Sequence, residues 1–163
     1  NSWDAWQLVR QTGLAFEAGP GLAVLNAAAA RPLRQLGCRS VAVNCEIDQN
    51  QLENLCAAAD TPLSITVFSH PPLLVTRAAL PSDYADAAAT VLTDSRGVSL
   101  RPTRAGAVTV LRPVTPFDWR HLRNANIKAA HYVVDLCGSG ACPEPQPPPA
   151  KPPFLFNYDR RLR

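Results

Sequence analysis

Residues 40–69, SVAVNCEIDQNQLENLCAAADTPLSITVFS, read as a complete strand–helix–strand unit. Ser40 to Asn44 is a short apolar run of the strand type. Asp48 stands at the head of a helix as its N-cap, with Gln51 three residues on, an approximate capping box. Leu52, Leu55, Cys56 and Ala59 follow at helical spacing. Asp60-Thr61-Pro62 ends the helix. Leu63, Ile65 and Val67 then alternate with Ser64, Thr66 and Phe68, which is strand periodicity. Connections this short predict parallel strands with right-handed crossovers.

Upstream, Leu22-Ala23-Val24-Leu25 reads as a buried strand ending at Asn26. A helix is expected from about Ala28 to Leu36, with Ala29, Leu33 and Leu36 on one face and Gly37 as its stop. Pro32 fits that helix only in its first turn, where backbone N–H groups lack partners anyway. Gly13, Gly19, Pro20 and Gly21 break the chain before it. Earlier still, the pattern leaves a short helix over Asp4–Gln11 and a strand over Trp6–Val9 both open.

Downstream, His70-Pro71-Pro72 closes the third strand and the pattern changes. Leu73 to Thr76 is extended. Val91–Thr93 and Val98–Leu100 flank Asp94-Ser95-Arg96-Gly97, a hairpin turn with Gly where φ must be positive. Ala107 to Leu111 is a further strand. Thr115-Pro116-Phe117-Asp118 has the form of a helix start, with Thr115 as cap and Pro116 in the first position. That helix is expected to run to about Asn124. Tyr132 to Leu136 is a closing strand. The expected fold is α/β, a partial (β/α) barrel-like parallel sheet with a small antiparallel β-hairpin insertion. It would occupy residues 1–137, followed by a Pro-rich linker over 138–153 and an aromatic C-terminal docking segment over 154–163.

At 163 residues, 47% of them apolar, the chain can bury one sizeable core. No apolar run approaches the roughly 18 residues of a membrane helix, so no membrane partner is expected. The start, Asn1-Ser2-Trp3-Asp4, has neither a basic region nor an apolar run, and the chain contains no Met. A trimmed piece of a longer chain without a signal peptide is the expectation. Five irregularly spaced cysteines argue against a secreted disulfide framework and for a cytoplasmic location. The abundance of Ala, Arg and Pro suggests a GC-rich bacterial source. A net charge of +3 does not by itself imply nucleic-acid binding. The pairs Arg101 with Arg104 and Arg120 with Arg123, and the cluster Arg160, Arg161 and Arg163, read first as solvated surface.

Candidate chemistry is sparse. Cys137 and Cys142 make a C-x4-C pair, a weak metal candidate because no second pair follows. Thiols without a metal are the plainer reading. His70, His121 and His131 are scattered, and nothing in the spacing joins one to Cys45 as a nucleophile pair. Glu46 follows a strand, at the end where parallel α/β proteins build their sites. Asp48, beside it, is explained by capping. Arg77 also follows a strand, and a guanidinium holds carboxylate or phosphate bidentately. Arg96 lies in the hairpin turn. No phosphate-binding Gly loop, Gly-x-Ser-x-Gly elbow or His-Glu-x-x-His helix is present.

Several segments, in order, resemble the peptidase U32 family, also called collagenase-like proteases. Leu22–Asn26 with Leu33–Gly37 is similar to its strand ending in Asn and helix ending Leu-Gly. Val41-Ala42-Val43-Asn44-Cys45-Glu46-Ile47 is similar to its next strand, which commonly ends Ser-x-Glu-Leu, with Asn44 in place of the Ser. Pro72-Leu73-Leu74-Val75-Thr76-Arg77 resembles its Pro-Leu-hydrophobic-Val-Thr-Arg signature. Leu92–Gly97 resembles its Asp-Arg-x-Gly turn, and Phe156–Arg160 its C-terminal end. The likeness spans most of residues 20–160 and would cover the later part of a family barrel.

The resemblance implies a nominal peptidase, or an accessory to hydroxylation of RNA bases or quinone precursors as in other members. A non-enzymatic binding or scaffold module is the rival. By the same resemblance, Glu46 and Arg77 would be the catalytic pair and Asn26, Asn44 and Arg96 ligand contacts. The site would be completed by a missing N-terminal part of the same protein or by a homo-oligomer partner, with RNA or a peptide as ligand. Family members usually carry a cysteine soon after Val-Thr-Arg, within a set thought to hold an iron–sulfur cluster. Ala78-Ala79-Leu80 stands there instead, so no cofactor is expected.

Overall fold

The computed structural model describes residues 2–78, 90–120 and 126–137. They fall into two compact units. The first holds residues up to Val67 together with 126–133, and the second holds 68–120 together with 134–137.

The first unit opens with helix α1 (Trp3–Thr12), capped by the Ser2 side chain and closed by Gly13 at φ 67°. Of the two openings the sequence allowed, the helix is the one formed. None of its residues is fully buried. Strand β1 (Phe16–Ala18) and a 3-10 turn over Pro20–Leu22 follow. The strand expected at Leu22–Leu25 is therefore not formed. Pro20 starts a turn instead, and the Ala23 amide donates to its carbonyl at 3.0 Å. Ala23 sits at φ 51°, which no strand residue adopts. Val24 is still buried at 1% exposure, so the apolar run feeds the core from a loop.

Helix α2 (Ala27–Gln35) is capped by Asn26, whose side-chain oxygen accepts from the Ala29 amide at 2.9 Å. Pro32 lies beyond the first turn, contrary to the expectation. It costs a bond to the carbonyl of Ala28, an exposed residue. The buried face is Ala30 and Leu33 rather than Ala29, Leu33 and Leu36. Strand β2 (Cys38–Ala42) leads to α3 (Gln49–Ala58), which begins with the expected capping box. Asp48 accepts from the Gln51 amide at 2.9 Å, and the Gln51 side chain accepts from the Asp48 amide at 3.2 Å. Strand β3 (Leu63–Ser69) follows. β1 pairs with β2 and β2 with β3, both parallel. Val41, Ile47, Leu52, Leu55 and Ile65 form the core between sheet and helices, each at most 1% exposed.

In the second unit the last residues of β3 pair antiparallel with β8 (Phe117–Asp118). A helix start was expected there. Phe117 is 1% exposed, and burying it beside Ser69 outweighs a capping pattern worth about 1 kcal/mol. Residues 121–125, where that helix would continue, lie outside the described residues. β4 (Leu74–Thr76), β5 (Leu92–Thr93), β6 (Ser99–Ala105) and β7 (Val108–Pro113) form a four-stranded antiparallel sheet in the order β4-β7-β6-β5. The insertion is thus larger than a hairpin, although its β5–β6 turn is as expected. Asp94 Oδ1 accepts from the amides of Arg96 and Val98 at 2.8 and 2.9 Å, and Gly97 sits at φ 82°.

The closing strand β9 (His131–Val134) pairs with β3. Ala130 donates to the Leu63 carbonyl at 2.9 Å and Asp135 to the Phe68 carbonyl at 2.8 Å. The described residues are therefore a mixed α/β fold with one parallel-containing sheet and one antiparallel sheet. Among them no helix is long and apolar enough to cross a membrane. The linker and docking segments expected at 138–153 and 154–163 lie outside the described residues.

Candidate functional site

Glu46 stands on the loop that leaves β2 at its carboxyl end. Asn44 shapes that loop. Its Oδ1 accepts from the Glu46 amide at 2.8 Å, and its Nδ2 donates to the Pro20 carbonyl at 3.2 Å. Ile47 and Asp48, the next residues, are buried at 0% and 5% exposure. Glu46 itself is exposed, so its carboxylate is presented by a loop anchored on both sides. Asn44 and Asn26, expected as ligand contacts, have their side chains engaged in the loop and in the α2 cap.

Arg77 follows β4 in the second unit and is exposed. Arg96 is 85% exposed along its side chain and lies 3.5 Å from Asp94. An exposed pair of that kind contributes little, because solvent screens it. Glu46 thus belongs to one unit and Arg77 and Arg96 to the other.

A second set of side chains gathers where β3 and β9 end, all within the second unit. His70 follows β3, with its Nδ1 2.9 Å from the Pro113 carbonyl oxygen. That oxygen only accepts, so Nδ1 carries the proton. Arg112 donates to the main-chain carbonyl of His70. Asp118 holds Arg120 through Nε at 2.9 Å and Nη2 at 2.6 Å. The Arg120 guanidinium lies 4.5 Å from the centroid of the Phe68 ring and its side chain is 11% exposed. A cation–π contact and a bidentate carboxylate together fix it. Beyond β9, Asp135 Oδ1 accepts from the Cys137 amide at 2.9 Å. The Asp135 carboxylate raises the Cys137 thiol, while Arg112 pulls it down.

Reasoning from sequence left His70 as one of three scattered histidines and did not single out Arg112 or Asp135. The available signal was position. His70 comes directly after β3, whereas Asp135 lay inside the expected closing strand, which ends at Val134. Arg112 shows only through its pairing.

The thiols of Cys38, Cys45 and Cys56 are pushed up chiefly by burial, which makes them poor nucleophiles at neutral pH. No cluster of three His, Cys, Asp or Glu side chains suited to a metal occurs among the described residues. Cys142, the partner expected for Cys137, lies outside them.

No protein-family model, curated protein or solved structure matches the chain.

Proposed function

We propose that the chain is the ligand-pocket part of a β/α-barrel protein of the peptidase U32 type, a nominal collagenase-like protease. Further strands come from additional chain of the same protein or from a second copy. The observation that carries this reading is the Glu46 loop. A parallel β–α–β–α–β run carries a carboxylate on the loop after β2, four residues beyond Ala42, on backbone pinned by Asn44. Active groups of parallel α/β folds stand at that end of the strands. Glu46 serves as an acid/base or hydrogen-bonding group. No iron–sulfur cluster enters the reading, because Ala78 stands where the family has a cysteine nearby.

The test is titration of a Gly-Pro-rich collagen-type peptide by calorimetry, with Glu46→Gln measured beside the unaltered protein. Binding weakened roughly tenfold by this change matches loss of one charged hydrogen bond. Absence of peptide binding, alone and with the remainder of the protein supplied, overturns it.

One observation favours a second reading, as an accessory to RNA-base modification. The described second unit holds six arginines (77, 96, 101, 104, 112 and 120) against three aspartates (94, 118 and 135). Two of those arginines are paired with aspartates. Contacts from the others to RNA phosphates require affinity that falls steeply with salt. No binding to RNA at low salt removes this alternative.

A further inference from the structure

A cleft of about 350 Å³ opens in the first unit beside α1 and β1. Trp6 and Val9 from α1, Leu14 from the connecting loop, Phe16 from β1 and Leu36 from the α2–β2 turn make its walls. Two cations, Arg10 and Arg39, stand among these apolar groups.

The apolar part of this arrangement is left in contact with water. Leu14 and Leu36 remain 67% and 38% exposed. Helix α1 buries no residue fully, although Trp6 and Val9 are turned partly inward. The Arg10 guanidinium lies 5.6 Å from the Trp6 ring centroid, a cation–π distance. Neither Arg10 nor Arg39 forms an ion pair with a carboxylate among the described residues. A volume of this size, walled by aromatic and aliphatic groups with a few charges, has the composition of a small-molecule site.

We propose that this cleft binds a small planar aromatic anion. The ring system lies against Trp6, Phe16 and Leu14, and the anionic group meets Arg10 and Arg39. Charge complementarity chooses the occupant: a neutral apolar molecule would leave both guanidiniums unanswered, and a purely ionic one would leave the aromatic walls wet. This site does not depend on the reading of the Glu46 loop, which it neither contains nor requires.

The probe is 1-naphthoate, with 1-naphthamide as its neutral counterpart, each titrated into the full chain by calorimetry and by saturation-transfer NMR. The expected Kd for 1-naphthoate is on the order of 0.1 mM, within the efficiency bound for so small a ligand. 1-Naphthamide binds at least about fivefold more weakly, the loss of a charge-assisted contact. Arg39→Gln, an exposed strand position, brings the two ligands closer. The Arg10→Gln, Arg39→Gln double variant makes them equal. Leu36→Trp narrows the cleft and removes both. Equal binding of the two ligands by the unaltered protein, binding unaffected by the Arg39 change, or no saturation transfer from either ligand overturns the proposal. Far-ultraviolet circular dichroism of each variant separates loss of the cleft from loss of the fold. If the double variant unfolds, the single Arg39→Gln result decides.

Discussion

His70 and Pro113 are joined through the ring, with Nδ1 donating to the Pro113 carbonyl oxygen at 2.9 Å. Arg112, the neighbour of Pro113, donates in turn to the carbonyl of His70. The end of β3 and the end of β7 are thus tied twice within one unit. The first prediction is that neutral His70 is the Nδ1–H tautomer, visible in its ring nitrogen shifts. His70→Ala should lower the urea midpoint by an amount equal to about 1 kcal/mol, the typical worth of one such bond. A dominant Nε2–H tautomer would contradict the geometry.

The α3 cap gives the second prediction. Asp48 is 5% exposed and reciprocates with Gln51. Asp48→Ala should cost about 1 kcal/mol, and Asp48→Asn only a few tenths, because Asn also caps. Chemical denaturation of the two variants checks this. Equal losses would mean that the charge, not the acceptor oxygen, is what counts.

The same helix shows what could be read from sequence. Its cap, its apolar spacing and the Leu63–Phe68 alternation are local signals, and local signals fixed α3 and β3. The Asp94–Gly97 turn was legible for the same reason, since Gly97 is held at φ 82°. Two elements differ from the sequence reading, one through a local turn and one through tertiary burial. Leu22–Leu25 is apolar enough for a strand, but Pro20 and a left-handed Ala23 turn it into a loop. Thr115-Pro116 resembles a helix start, yet Phe117 is needed as a buried strand residue beside Ser69. The site was half legible for a related reason. Glu46 is found by its place after a strand. The tie of Arg112 to His70 depends on residues 42 apart in the chain, and no local pattern encodes it.

The hairpin supplies a pH prediction. Backbone hydrogen bonds from Val98 and Arg96 hold the Asp94 carboxyl below its ordinary value, with the Arg96 guanidinium adding to the effect. A depressed carboxyl stabilises the fold above its unfolded pKa, about 3.9, and the contribution disappears as pH falls through the lower folded value. The protection of the Arg96 and Val98 amides, taken against the intrinsic exchange rate at each pH, should therefore fall below about pH 4. Asp94→Asn should remove that pH dependence while keeping an acceptor for both amides. Protection that is flat with pH in the unaltered protein would refute it.

Thiol chemistry separates the described cysteines. Cys38, Cys45 and Cys56 are raised mainly by desolvation. Cys137 is exposed and is raised by the hydrogen bond and charge of Asp135, against a lowering pull from Arg112. The nucleophile is the thiolate, so access and charge together set the order of reaction. With iodoacetamide at pH 7, Cys137 should be alkylated ahead of the other three, as read by peptide mapping. Asp135→Asn removes the negative charge and leaves the side-chain oxygen that accepts from the Cys137 amide. It should lower the thiol's pKa and speed alkylation severalfold. Arg112→Gln should do the opposite and slow it. If Asp135→Asn slows the reaction instead, the carboxylate acts on Cys137 by activating it, and the assignment of Asp135 as a restraining charge is wrong.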